Sequence, residues 1–231
     1  MLKTGNEPLS TRGSNLNFTL LDFWRWNSSD LLSNSTRGRF AEFIVASATN
    51  VDIDQPRDEW GAYDLITHEG IKIEVKSAAY VQSWEQKSLS KISFGIKAAH
   101  SWDDETNKRL EIAARSANVY VFCLLHHDKK QTCDPLNLDH WEFYVLATED
   151  LNRRTRSQQS ITLNSLKAMT VPVPYDFLGA EVERMNEKNN RIRGDRSSDL
   201  GGSRHINYMF RRYSTSITLY SKNDEPIYVE Y

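Results

Sequence analysis

Seven residues, Val119–Leu125 (VYVFCLL), constrain this chain more than any other stretch. An apolar run of that length with no polar alternation is covered on both faces, as a strand is only at the centre of a sheet between two other layers. Further strand patterns surround it. Trp141–Ala147 sets Trp141, Phe143 and Val145 against Glu142, Tyr144 and Leu146, with neither face strongly polar. Ile71–Tyr80 puts Ile71, Ile73 and Val75 on one face and Lys72, Glu74 and Lys76 on the other. Trp60–Ile66 precedes it across the turn Thr67-His68-Glu69-Gly70, and Ile92–Ile96 is a further strand-like alternation. Helical spacing occupies Arg37–Ala48, with Thr36 as the expected N-cap and Phe40, Phe43, Ile44 and Ser47 as the packing stripe. Tyr175–Asn189 reads as an amphipathic docking helix, and shorter helical segments fall at Phe18–Trp26, Asn107–Ala114, Thr148–Leu151 and Thr162–Met169. Strand pairs between helices exclude a regularly alternating fold. They predict an α/β fold with a mixed central β-sheet flanked by helices.

That unit takes residues 1–189, and the change to Asn, Arg, Asp, Ser and Gly afterwards predicts a linker and a small C-terminal β extension over 190–231. The extension carries the runs Ile206–Phe210, Ser214–Tyr220 and Pro226–Val229, whereas residues 1–15 read as loose chain. The aromatics of the Phe18–Trp26 helix are expected to pack as core or lid. The 39% hydrophobic content supplies a core, but no apolar run approaches membrane-spanning length and MLKTGNEPLS holds no apolar signal segment. Two cysteines, Cys123 and Cys133, are too few to staple the fold, so reduced cytoplasmic thiols and no membrane are expected. His126 and His127 project oppositely on a continuing strand and make a poor chelating pair. Net charge is −2, yet eight Lys or Arg between Arg184 and Arg212 face three acids, and Arg153-Arg154-Thr155-Arg156 adds another basic point. Such a surface suits a polyanion, or is an ordinary solvated face.

The chemistry concentrates in Gly61–Trp84. A hairpin brings Asp64 beside Glu74 in the next strand, with Lys76 two residues on. Two carboxylates and an ammonium in one pocket are costly to hold together unless a divalent cation and a phosphate complete the set. Glu42 adds a carboxylate beside the apolar face of the preceding helix.

Glu42 in a helix, Asp64 at a strand end and Glu74-Val75-Lys76 in the following strand resemble the PD-(D/E)XK nuclease superfamily, the restriction-endonuclease-like fold. Tyr63 stands before Asp64 where that family usually has proline. The resemblance spans about Thr36 to Ala147 and implies a core in the order α-β-β-β-α-β. It implies a nuclease, an endonuclease of restriction, repair or defence type, hydrolysing phosphodiesters in DNA, with RNA left open. It further implies that Asp64, Glu74 and the Val75 carbonyl hold Mg²⁺, with Mn²⁺ as a substitute, and that Glu42 completes the metal site or orients water. Lys76 would contact the scissile phosphate, and Gln82 would reach the attacking water or a phosphate. Ser77 would offer a hydroxyl to phosphate, Tyr80 and Trp84 a surface for bases, and Arg109 and Arg115 further cations. Cutting both strands of a duplex would favour a homodimer. Two other readings stay open: an inactive nucleic-acid-binding scaffold on the same fold, and an α/β interaction protein whose E-x-K is incidental. The last would leave Glu74 and Lys76 facing solvent, far from Asp64.

Overall fold

The computed structural model describes residues 2–59, 61–100, 102–103, 108–109, 113–154, 159–199, 219–220 and 226–227. Near the N-terminus, β1 (Pro8–Thr11) and β2 (Ser14–Thr19) form an antiparallel hairpin where composition predicts loose chain. Its two turn residues, Arg12 and Gly13, both take positive φ (50° and 78°), the turn hand that matches strand twist. α1 (Leu20–Ser28) starts from a reciprocal Thr19–Asp22 capping box and buries none of its residues. The aromatics expected as core lie outward, with Phe18 61% and Trp26 84% exposed.

α2 (Asn34–Ala48) starts earlier than predicted, because Ser33 and not Thr36 is the cap: its side chain accepts from the Thr36 N–H. The helix buries Arg37, Ala41, Ile44, Val45 and Ala46 and leaves Phe43 54% exposed. The stripe is displaced from the predicted one because small Ala41 and branched Val45 allow close approach to the sheet, which Phe43 would prevent. β3 (Leu65–Ile66) and β4 (Lys72–Ala79) form the expected hairpin around Gly70 at φ 82°. β3 is shorter than Trp60–Ile66, and Trp60 lies outside the described residues. One reason is local: the Val75 N–H, which a longer β3 would engage through its backbone, is taken by the Asp64 carboxylate at 2.7 Å.

Next come β5 (Ser93–Gly95), β6 (Trp102–Asp103), β7 (Lys108–Arg109), β8 (Val119–Leu125), β9 (Trp141–Ala147), α3 (Thr148–Arg153), β10 (Ser160–Thr162), α4 (Leu163–Lys167) and α5 (Leu178–Asp199). β8 and β9 coincide with their predicted spans. Two expectations fail. β5 pairs with β10 and not within the central sheet, and the predicted helix Asn107–Ala114 is replaced, among the described residues, by the antiparallel pair β6–β7 and an Ala99–Ala114 bridge. Among the described residues the α-β-β-β-α-β order is therefore not completed at its third strand and second helix. The central sheet runs β3-β4-β8-β9, with β4 and β8 parallel and the other pairs antiparallel.

This mixed sheet is covered on both sides. Ile73, Val75, Val121, Cys123 and Phe143 meet Ala41, Ile44 and Val45 of α2 and Leu178, Val182 and Met185 of α5. Ala78, Tyr120, Phe122, Leu124 and Tyr144 meet Phe94, Ile161, Leu163 and Leu166 from the β5–β10 pair and α4. Polar composition does not end α5 at Asn189, because tertiary contacts hold it. Asn189 is fully buried and its Oδ1 accepts the Glu149 N–H at 3.1 Å, while Lys188 pairs with Asp150 and Arg193 with Glu149. Two compact units result, Met1–Arg196 and Ser197–Tyr231. In the second, β11 (Leu219–Tyr220) pairs antiparallel with β12 (Pro226–Ile227), and the predicted Ile206–Phe210 strand lies outside the described residues. Among the described residues no helix is long and apolar enough to cross a membrane.

Candidate active site

The hairpin register places Asp64 one residue before β3, against the open edge of β4. Its N–H donates to the Ile73 carbonyl at 3.1 Å and its Oδ2 accepts the Val75 N–H at 2.7 Å. In an antiparallel ladder the N–H and C=O of one residue point to the same side, so the Val75 carbonyl faces the edge where Asp64 sits. Strand alternation sends the Val75 side chain into the α2 layer and puts Glu74 and Lys76 on the opposite face. There Lys76 Nζ donates to Glu74 Oε1 at 2.5 Å. Glu42 projects from α2 and pairs with Arg57 at 2.7 Å, its side chain 15% exposed.

The electrostatics mark these groups as one cluster. Burial, then the Asp64 charge, raises the Glu74 carboxyl above the ordinary value, and Lys76 opposes the rise. Glu42 is raised in the same way, by burial and then Asp64, against Arg57 and Lys76. Asp64 and Lys76 thus act on acids arriving from two different elements. Among the described residues, no three His, Cys, Asp or Glu side chains form a group arranged to hold a metal ion. The hard oxygen donors available at the β4 edge are Asp64, Glu74 and the Val75 carbonyl.

Gln82 is engaged away from this group. It is 6% exposed, its Nε2 donates to the Ala79 carbonyl and Ser90 Oγ, and its Oε1 accepts from Arg37 Nη1. Ser77 is likewise engaged, accepting from Arg37 Nε at 3.2 Å on the strand face away from Lys76. Tyr80 packs half-buried beside Ala78 and Phe122, whereas Trp84 is 53% exposed. The side chain of Arg109 and residues 104–107 lie outside the described residues. His127 stacks on His140 at 4.1 Å and hydrogen-bonds Thr132, which gives the histidine pair a structural use. Three cations of the basic C-terminal stretch are spent locally, Arg184 on Glu181, Lys188 on Asp150 and Arg193 on Glu149.

Two neighbours of the cluster escaped the sequence reading. Tyr120 is the register partner of Glu74 in β8, and burial followed by the Glu74 charge pushes its phenol far up, with Arg115 opposing. Its signal was visible as the one hydroxyl-bearing side chain in an otherwise apolar run. Arg115 itself donates to the Ile96 carbonyl (3.0 Å) and Asn152 Oδ1 (2.7 Å). Arg57 comes from the loop before β3 and pairs with Glu42; no spacing or periodicity links those positions.

No curated protein matches the chain. A family model, bacteriophage T4 endonuclease IV, matches residues 18–165, a span that takes in α2, the β3–β4 hairpin and the whole central sheet. With well over half of its length matched, including every member of the carboxylate–lysine cluster, the chain belongs to the bacteriophage T4 endonuclease IV family.

Proposed function

We propose that this protein is a divalent-cation-dependent endonuclease that hydrolyses phosphodiester bonds in DNA, with Asp64, Glu74 and Lys76 at its centre and Glu42 beside them. The observation that carries this reading is the meeting of carboxylates from two elements with one lysine at the open edge of β4. Membership of an endonuclease family gives that cluster a reaction. The cluster also supports a PD-(D/E)XK type of site, although β5 and the β6–β7 pair depart from that core's element order. Both cysteines are free, in keeping with work in a reducing compartment.

Mg²⁺ takes one or two carboxylates and keeps several waters, and Asp64, Glu74 and the Val75 carbonyl form that kind of donor set. Burial and then the Asp64 charge raise Glu74, and a cation would relieve the repulsion between the two acids. When bound, the cation supplies neutralisation of the phosphate oxygens and a stronger water nucleophile. Mn²⁺, with similar oxygen preference, would substitute. The chain's own groups do the rest. Lys76 donates to a non-bridging phosphate oxygen as negative charge grows there, a contact strongest in the transition state. Glu42 accepts a hydrogen bond from the attacking water and orients it. As the water oxygen bonds to phosphorus it gives up a proton to solvent, the bond to the leaving oxygen breaks and that oxygen takes a proton from solvent, so the two new ends are a phosphate and a hydroxyl.

The test is incubation with supercoiled plasmid and linear single-stranded DNA, in Mg²⁺ and in chelator. Wild type is expected to cleave only with the cation. Lys76→Ala should slow cleavage by about 10²–10³-fold, and Glu74→Ala should abolish it. Folded wild type that cleaves neither duplex nor single-stranded DNA nor RNA in Mg²⁺ or Mn²⁺ would overturn the proposal.

A further inference from the structure

Arg57 lies on an exposed loop and reaches Glu42 of α2. Residues 52–59 are all exposed, so packing does not build its position. Its Nε and Nη2 both converge on a single oxygen, Glu42 Oε2, at 2.7 Å. Its Nη1 lies 3.4 Å from Glu59 Oε1, an atom shared with Arg39 Nη2 at 3.3 Å. The Arg57 side chain is 34% exposed against 15% for Glu42, so the guanidinium closes over the acid from the solvent side. Lys76 pairs with Glu74, Arg57 with Glu42 and more distantly Glu59, and the Asp64 carboxylate accepts from the Val75 N–H. A phosphodiester approaching this edge therefore meets a planar donor fork held on two carboxylates through one oxygen of each, Glu42 Oε2 and Glu59 Oε1. Guanidinium prefers the paired oxygens of a phosphate to such single-oxygen contacts.

Resting on the nuclease reading above, we infer that Arg57 is a substrate-phosphate ligand held on Glu42 until substrate arrives: it exchanges the carboxylate for a backbone phosphate and so frees Glu42 to face the attacking water. The exchange breaks only hydrogen bonds and ion pairs and needs no co-reactant. Arg57 would then be a binding residue, and Glu42 the competitor that limits DNA affinity.

The experiment is fluorescence anisotropy of labelled DNA oligonucleotides, single-stranded and duplex, with the full chain in chelator over a salt series. Wild type, Arg57→Gln, Arg57→Lys, Glu42→Gln and the double variant Arg57→Gln/Glu42→Gln are compared. Arg57→Gln should weaken binding by about tenfold, the low end for a charge-assisted hydrogen bond, and reduce the salt slope by about one. Arg57→Lys should keep the slope and lose part of the affinity, since an ammonium keeps the charge without the fork. Glu42→Gln should tighten binding, and that gain should vanish in the double variant. An unchanged Arg57→Gln, or a Glu42→Gln gain that survives loss of Arg57, overturns the inference and leaves the nuclease reading standing. Wild type that neither binds nor cleaves DNA overturns both. Circular dichroism melts accompany each variant and check that it is folded at the temperature of the binding measurement.

Discussion

Glu74 holds its proton more tightly in the folded protein than an ordinary carboxyl does, because it is buried and faces Asp64. The linkage follows directly: between the ordinary carboxylate range and the raised folded value, the native state binds more protons than the unfolded chain. Stability contributed by this group is therefore lost as pH rises through that window, and the loss persists at neutral pH. Glu74→Gln should raise the Tm at pH 7, with the difference from wild type closing as the pH falls below the ordinary carboxylate value. Differential scanning calorimetry across pH checks this. Mg²⁺ should raise the Tm of wild type but not of Glu74→Gln, because binding to the native state alone stabilises it. A second residue-level expectation concerns the thiols. Cys123 is fully buried and its thiol is pushed far up by burial, whereas Cys133 is only partly buried. A disulfide-exchange reagent should label Cys133 in the native protein, label both thiols in denaturant, and label nothing native in Cys133→Ser.

At the scale of elements, the site depends on how α2 meets its neighbours. Arg37, 4% exposed, ties α2 to Ser77 of β4 and to Gln82, so the helix that carries Glu42 is anchored to the strand that carries Glu74 and Lys76. Burial lowers the proton affinity of this guanidinium, and its hydrogen bonds to Leu32, Asn34, Ser77 and Gln82 satisfy it with neutral acceptors. The far end of α2 meets α5 at Gly179, where an added Cβ would lie 2.3 Å from the Ala48 carbonyl oxygen. Gly179→Ala should therefore cost about 1–3 kcal/mol in chemical denaturation, since backbone and not a flexible side chain must move. At the N-terminus of α2, Ser33→Ala should cost about 1 kcal/mol and Thr36→Ala less. Thr36 is the hydroxyl expected as cap, and Ser33 takes the role because the chain enters the helix directly after Asp30-Leu31-Leu32. β4, β8 and β9 were legible because period-two and continuous apolar patterns survive any register. The β6–β7 pair was not, because two-residue strands carry no period to read.

Over the whole molecule, β8 joins the two cores, giving Val121, Cys123 and Leu125 to the layer of α2 and α5, and Tyr120, Phe122 and Leu124 to the layer of β5, β10 and α4. Leu125→Ala and Phe122→Ala, on opposite faces, should each destabilise by about 2–5 kcal/mol. Both should shift far-UV and fluorescence transitions together, as expected if neither layer unfolds alone. Much of the fold and the placement of the candidate residues followed from the chain by itself: a central strand at Val119–Leu125, and a hairpin that puts Asp64 next to Glu74-Val75-Lys76. Those are local consequences of side-chain periodicity and of a short turn closing on Gly70. Tertiary structure alone decided the rest. It chose which strands share the central sheet, carried α5 past a polar stretch by burying Asn189 and Ile192, drew Gln82 into the Arg37 network, and set Arg57 on Glu42. Each of these joins residues with no shared periodicity, and the free energy that selects such contacts comes from burial and charge pairing that exist only once the layers have met.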